Sequence, residues 1–425
     1  MSQQQDTSNL TDQEHPLSFP FPFADHSLKV PAEYERLRQQ CPVARVTMPF
    51  GGDATLLTRH ADVVKAFVDP RCDAVKFVDG DVPRITASTT DSGSNGASLF
   101  DMSNAHHNQV RRLVTQEFTI KHANSLRPGV IALTHQLIDE MERKGAPADL
   151  FEDYAIKTPM AVICDLLGIP REDEPLFRHW GRVALSTVHS NEDKGAYMQK
   201  MIVYLIPLIE RERTHPSNTI LGTLVKARAQ RDEVITQQEM LSFAIGLIAA
   251  GFETVSTTFT NSAFNVLQEP ELLEQMRERV DDPARMAQAI EELLRVTALG
   301  GGGRPRITRE SVDFSGTHVP SGEVLVLSML SGNFDEEVFP HALEVDFNRE
   351  TNPIISFGRG IHACIGQQIA RMELQVLWST LLKRLPTIRL AVPPTEVPWR
   401  ENETLTFGPA NLPVTWYMKR NSSSF

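Results

Sequence analysis

"ISFGRGIHACIGQQIAR" runs from Ile355 to Arg371 and places a single cysteine, Cys364, between a glycine-rich turn and the opening of a helix. Gly358 and Gly360 allow backbone conformations closed to other residues, and Gly366 keeps the chain slim just past the thiol. Beyond it Ile365, Ile369, Met372, Val376 and Leu377 form an apolar stripe at helical spacing, which predicts a helix from about Ile365 to Leu385. Unpaired N–H groups at such a helix start favour a thiolate. A thiolate faced by several backbone donors is a tuned metal ligand, whereas the commoner use of a lone cysteine is as a small core residue. Zinc fits poorly, because His362 and Cys364 supply two ligands and the neighbourhood offers no further pair.

The surrounding chain has 425 residues, 41% of them hydrophobic and 23% charged, an ordinary globular balance that excludes long disorder and fibrous repeats. A net charge of −12 leaves no global basic field to hold nucleic acid or an anionic membrane. Cys41, Cys72, Cys164 and Cys364 lie far apart, so neither a disulfide framework nor a zinc ribbon is expected. The polar, acidic N-terminus lacks the basic residues and apolar stretch of a signal or membrane anchor. The apolar run Phe243 to Phe252 is about half the roughly 20 residues a span needs. The expectation is a cytoplasmic monomer.

Residues 1–20 read as a flexible tail and 21–425 as one domain. "ARVTM" and "ATLLT", separated by "PFGGD", predict a hairpin, and residues 79–98 a long loop placed to cover a pocket. From Asn104 to Gln268 helical periodicity dominates. Its most informative member starts at a capping box, Thr236 with Glu239, and runs about thirty residues to Pro270, apolar on nearly every side. Asp282 and Pro283 open another helix, which ends at Gly300 to Gly303, and "VDFSGTHVPSGEVLVLSML" returns to strand-like alternation. The fold class is mainly α with small β-sheets (α+β), in which both ends of the chain contribute strands to a single interleaved domain.

Spacing in the cysteine loop is specific: Phe357, Gly358, Gly360, His362, Cys364 and Gly366 give F-G-x-G-x-H-x-C-x-G. This pattern resembles the haem-binding loop of the cytochrome P450 family, whose cysteine thiolate is the proximal ligand of haem iron. Three more segments agree, in the family's order. His107 and Arg111, four apart, match H-x-x-x-R; Ala250-Gly251-Phe252-Glu253-Thr254 matches A-G-x-[DE]-T; Glu292 and Arg295 match E-x-x-R, with Arg349 to complete the cluster. Each alone is an ordinary surface pair or helical threonine. The resemblance covers about Phe19 to Trp416 and departs at Asn333-Phe334-Asp335, where most relatives have Asn-Arg-Asp, and at Thr308, usually alanine.

The resemblance implies a soluble bacterial haem-thiolate monooxygenase with haem b, its iron held by Cys364. His107, Arg111, Arg306 and His362 would meet the haem propionates, Phe357, Ala250, Gly251 and Gly366 would line the haem, and Glu253 and Thr254 would assist proton delivery to bound O2. Glu292, Arg295 and Arg349 would lock the cysteine loop. Electrons would come from NAD(P)H through a ferredoxin reductase and ferredoxin, since no flavin or dinucleotide segment is left over. By spacing, Leu247, Ala298, Leu299, Gly300 and Gly301 would edge the substrate pocket, and glycines there open room for a bulky secondary metabolite. Hydroxylation is the default outcome. Oxidative C–C or C–N coupling of an aromatic natural product, with a diketopiperazine as first candidate, is the alternative, and a haem-binding protein without turnover the remote one.

Overall fold

The computed structural model describes residues 16–76, 81–85, 102–186, 189–230, 234–350, 352–400 and 406–417. Helices α1 (Ala32–Gln40) and α2 (His60–Val68) precede a long helical series: α3 (Asn104–Val114), α4 (Ile120–Lys144), α5 (Lys157–Leu167), α6 (Glu174–Leu185), α7 (Asn191–Thr214), α8 (Ile220–Gln230), α9 (Gln237–Gln268), α10 (Pro270–Arg277) and α11 (Pro283–Val296). Short α12 (Met329–Asn333) and long α13 (Gln367–Arg384) follow. The strands are β1 (Leu17–Ser18), β2 (Val43–Thr47), β3 (Asp53–Leu57), β4 (Cys72–Asp73), β5 (Ala148–Asp149), β6 (Arg304–Thr308), β7 (Val312–Phe314), β8 (Thr317–Val319), β9 (Val324–Leu327), β10 (Arg389–Leu390) and β11 (Pro413–Thr415).

The main sheet has the order β1-β2-β3-β9-β6-β4, so strands from the first 73 residues interleave with two that follow α11. The β2–β3 hairpin turns at Gly51 and Gly52, whose φ of 77° and 91° belong to glycine. Two smaller sheets, β10-β11-β5 and β7-β8, again join distant parts of the chain.

Structure begins earlier than the expected tail boundary at residue 20. Leu17 and Ser18 pair with Val46 and Thr47, and Phe19 is buried in the core beside the sheet, because a run of aromatics there has a hydrophobic cluster to enter. Residues 1–15 lie outside the described residues. So does most of the loop 79–98; its residues 81–85 are fastened to the hairpin turn by paired hydrogen bonds between Phe50 and Arg84.

Helix α9 carries the predicted capping box, with Thr236 accepting from the Glu239 N–H and Glu239 accepting from Thr236 N–H. It is long and apolar enough to cross a membrane, yet 61% of its most apolar window is buried, as in a core helix. Close packing explains two glycines: a Cβ at Gly251 would overlap Ile163 of α5, and one at Gly181 of α6 would meet Phe252 of α9 at 2.5 Å. Opposite, Trp378 of α13 donates to Ser262 and packs its ring 5.3 Å from Phe259.

Candidate functional site

Although α9 is mostly buried, Gly246, Leu247, Ala250, Gly251, Thr254 and Thr258 retain accessible surface. Their spacing of three and four residues puts them on one face. Cys364 is likewise accessible, although burial is the largest influence on its thiol and pushes its pKa up. Dense surroundings and accessible surface coexist where a side chain faces an internal space.

The cysteine loop is held by its own backbone. Cys364 N–H donates to the Phe357 carbonyl at 2.8 Å and Ala363 N–H to that of Gly360 at 3.1 Å, while Gly358 and Gly360 take φ of 67° and 73°. The Phe357 ring lies 4.5 Å beneath the Arg371 guanidinium, which is itself paired to Glu291. Gly366 caps α13, and its N–H pulls the thiol pKa down. The expected lowering of the thiol pKa is therefore offset: a backbone donor and Arg304, Arg111 and Arg371 pull it down, and desolvation outweighs them. A bound cation reverses that balance, because a metal-ligated thiol is deprotonated outright.

Beside the cysteine loop lies a cluster of ring nitrogens and guanidiniums. The His107 and His362 rings are 4.3 Å apart, and His107 Nδ1 and His362 Nε2 are buried with no hydrogen-bond partner among the described residues. Burial, then His107 and Arg306, push the His362 pKa down to about 4. Arg111 donates to the Ile361 carbonyl at 3.2 Å, and buried Arg306 to its neighbour Pro305 at 2.9 Å; among the described residues neither forms an ion pair. Orphaned ring nitrogens and uncompensated cations together are costly unless an anion joins the cations.

Beneath the loop, Glu292 and Arg295 are fully buried in a bidentate pair at 2.7 and 2.9 Å. Glu292 also accepts from Arg349 at 3.2 Å, Asn352 at 3.1 Å and Asp346 N–H at 3.0 Å. Arg295 donates to the carbonyls of Asn333, Ala342 and Glu344 and lies over the rings of Phe334 and Phe339. Phe334, the departure noted above, is thus a wall of the arginine's slot. Asn333 carries the arrangement to the cysteine loop, accepting from Ile355 N–H and donating to Ser356, which donates to the Leu294 carbonyl. Sequence reading missed Asn333 and Ser356 as participants.

Glu253 and Thr254 point different ways. Thr254 is on the accessible face and donates to the Ala250 carbonyl at 2.7 Å. Glu253, about 100° around the helix, is buried against Arg400 at 2.6 Å, with Thr406 donating to the same oxygen at 3.2 Å. Arg400 was not singled out from the sequence.

Gly251 stays on the accessible face of α9, and its missing side chain also admits Ile163 of α5. Two expected positions are corrected. Ala298 packs in the cluster on the N-terminal side of the sheet, with Phe19 and Phe21. A Cβ at Gly301 would face Phe23 and Pro20 at 3.5 and 3.7 Å, and its carbonyl accepts from Tyr34. The segment after Arg295 turns toward the sheet there because Asn261 holds the Ala298 carbonyl at 2.8 Å. Leu299, whose carbonyl accepts from Phe407 N–H, and Gly300 are half-buried.

An accessible apolar helical face, an accessible thiol and a cluster of cations are what a haem-thiolate protein offers its flat, iron-bearing dicarboxylate. Comparison with known proteins agrees. The family model for cytochrome P450 matches residues 189–416. The chain is 37% identical over 399 residues to a mycinamicin IV hydroxylase/epoxidase from Micromonospora griseorubida, covering 93% of this chain and 98% of that one. It is 37% identical over 400 residues to a nocardicin C N-oxygenase from Nocardia uniformis subsp. tsuyamanensis, with the same coverage. The crystal structure of LnmA, a hydroxylase of the leinamycin pathway of Streptomyces atroolivaceus, superposes with a TM-score of 0.85 at 35% identity over 94% of this chain and 100% of that one. The chain belongs to the cytochrome P450 family. It is a monooxygenase whose cofactor is haem, and it acts on a small molecule with O2 and electrons from redox partners.

Proposed function

We propose that the chain is a natural-product tailoring enzyme that hydroxylates a bulky secondary metabolite, drawing electrons from a ferredoxin and its reductase. The observation that supports this best is the accessible face of α9 together with an accessible Cys364, alongside similarity over nearly the whole chain to enzymes named for mycinamicin and nocardicin oxidation. Cys364 would hold the haem iron, and His107, His362, Arg111 and Arg306 would receive its two carboxylates. Haem, when bound, supplies oxygen activation and C–H oxidation.

The chain's own residues supply position and protons. Ala250 and Leu247 present apolar surface that would exclude water from the haem, and Thr254 offers a hydroxyl on the same face. Its proton is spent on the Ala250 carbonyl at rest, so delivery requires the hydroxyl to rotate. Glu253 Oε2 is buried with no hydrogen-bond partner among the described residues and is the atom left to bind a water. The Glu292–Arg295–Arg349 cluster holds the cysteine loop through Asn333 and Ser356.

The test is turnover under 18O2 with ferredoxin, reductase and NAD(P)H, offering a macrolide such as mycinamicin IV and an aromatic cyclic dipeptide. A product carrying one 18O supports hydroxylation. A product that has lost two hydrogens without gaining oxygen means oxidative coupling and overturns it.

A further inference from the structure

Strand β6 carries a second arginine, Arg304, that no sequence motif points to. Directly paired residues of neighbouring strands project to the same side of a sheet. Arg306 is paired with Leu325 and Arg304 with Leu327. Both leucines pack with Phe67 and Ile355, whereas Val324 and Val326 face the opposite cluster. The two guanidiniums therefore leave the sheet on the side of α2 and the cysteine loop, their Cα atoms about 7 Å apart along the strand.

On that side the loop passes over Phe67: a Cβ at Gly360 would meet the Phe67 carbonyl at 2.6 Å, and the Arg306 guanidinium lies 5.3 Å above the Phe67 ring. Arg304 is exposed and makes no hydrogen bond or ion pair with a described residue. Its charge acts on both Cys364 and Arg306. Asp73, the carboxylate that acts on Arg306 and His362, is already occupied by Lys76 at 2.8 Å and Arg309 at 3.6 Å.

We infer that Arg304 is a third arginine ligand of the haem carboxylates, beside Arg111 and Arg306, and that its charge eases reduction of the iron. Haem brings two carboxylates, and three guanidiniums around them leave one positive charge in excess near the thiolate. Positive potential favours the state that has gained an electron. A unit charge on the order of 10 Å away, in an effective dielectric of about 20, shifts such an equilibrium roughly tenfold.

The experiment compares haem-loaded wild type, Arg304→Gln and Arg304→Lys by transfer of haem to apomyoglobin and by reductive titration. Arg304→Gln should release haem about tenfold faster, the worth of one charge-assisted hydrogen bond. Its ferric state should be favoured by up to about tenfold, or ~59 mV lower in midpoint potential. Arg304→Lys should restore most of the potential, because it keeps the charge, and only part of the haem retention, because it lacks the fork. Should Arg304→Gln fold poorly, Arg304→Lys alone decides, since retained potential with faster release is not expected of a merely structural residue. Unchanged release and potential in both variants overturn the inference. So does a third outcome: unchanged haem properties with selective loss of binding of 4-(imidazol-1-yl)benzoate relative to its methyl ester, which would place Arg304 on the substrate side.

Discussion

Arg400 Nη1 lies 2.6 Å from Glu253 Oε1, joining the segment after α13 to the middle of α9 through a pair of buried side chains. Arg400 also donates to Thr257 and Thr406, and its guanidinium lies 4.6 Å from the Phe151 ring. Removing one partner leaves the other charged and buried, so Arg400→Met should destabilise the protein by about 3–5 kcal/mol. Adding Glu253→Gln should recover most of that loss. Urea unfolding of the three haem-loaded variants checks it, and equal losses in single and double variants would mean that packing, not charge, is what Arg400 supplies.

Arg295 tests whether geometry or charge alone holds the layer under the cysteine loop. Its fork serves Glu292 and three carbonyls at once, a set that a lysine ammonium cannot reach. Arg295→Lys should therefore yield little haem-loaded protein despite keeping the charge. The absorbance ratio of haem to protein after purification reads the result, and full loading would show that the charge alone suffices.

Glu373 of α13 is buried, its Oε1 has no hydrogen-bond partner among the described residues, and burial raises its pKa from 4.5 to about 8. The folded protein therefore keeps this proton over a range in which the unfolded chain has lost it. Stability should fall as pH rises from about 4.5 to 8, by at most ~1.4 kcal/mol per unit, and the fall should be complete above that range. Glu373→Gln should flatten this part of the curve. Unfolding free energies of both proteins at pH 5, 6, 7 and 8 decide it, and parallel curves would mean that Glu373 finds a partner.

Much of this was legible in the sequence because it rests on local rules. The capping box at Thr236, the Asp282 cap, the Gly51-Gly52 hairpin and the glycines before Cys364 each depend on a few neighbouring residues, and all recur in the fold. Glu292 and Arg295 were readable as a pair because they stand one helical turn apart. What escaped notice depends on distant segments. Arg400 is 147 residues from Glu253, Arg304 takes its direction from pairing with β9, and Ser356 matters through Asn333. Spacing along the chain also misplaced Ala298 and Gly301, since which side a residue faces is set by the helix or sheet that packs on it. Gly251 reads from the sequence as room for a cofactor, and only the position of α5 shows that it also makes room for Ile163.

The central claim is that Cys364 binds the haem iron as a thiolate, and the carbon monoxide complex of the reduced protein tests it most directly. The unmodified protein should show the red-shifted Soret band of thiolate-ligated haem, and Cys364→His should lose that band while still binding haem. A histidine-type spectrum in the unmodified protein, or a red-shifted band that survives Cys364→His, would contradict it.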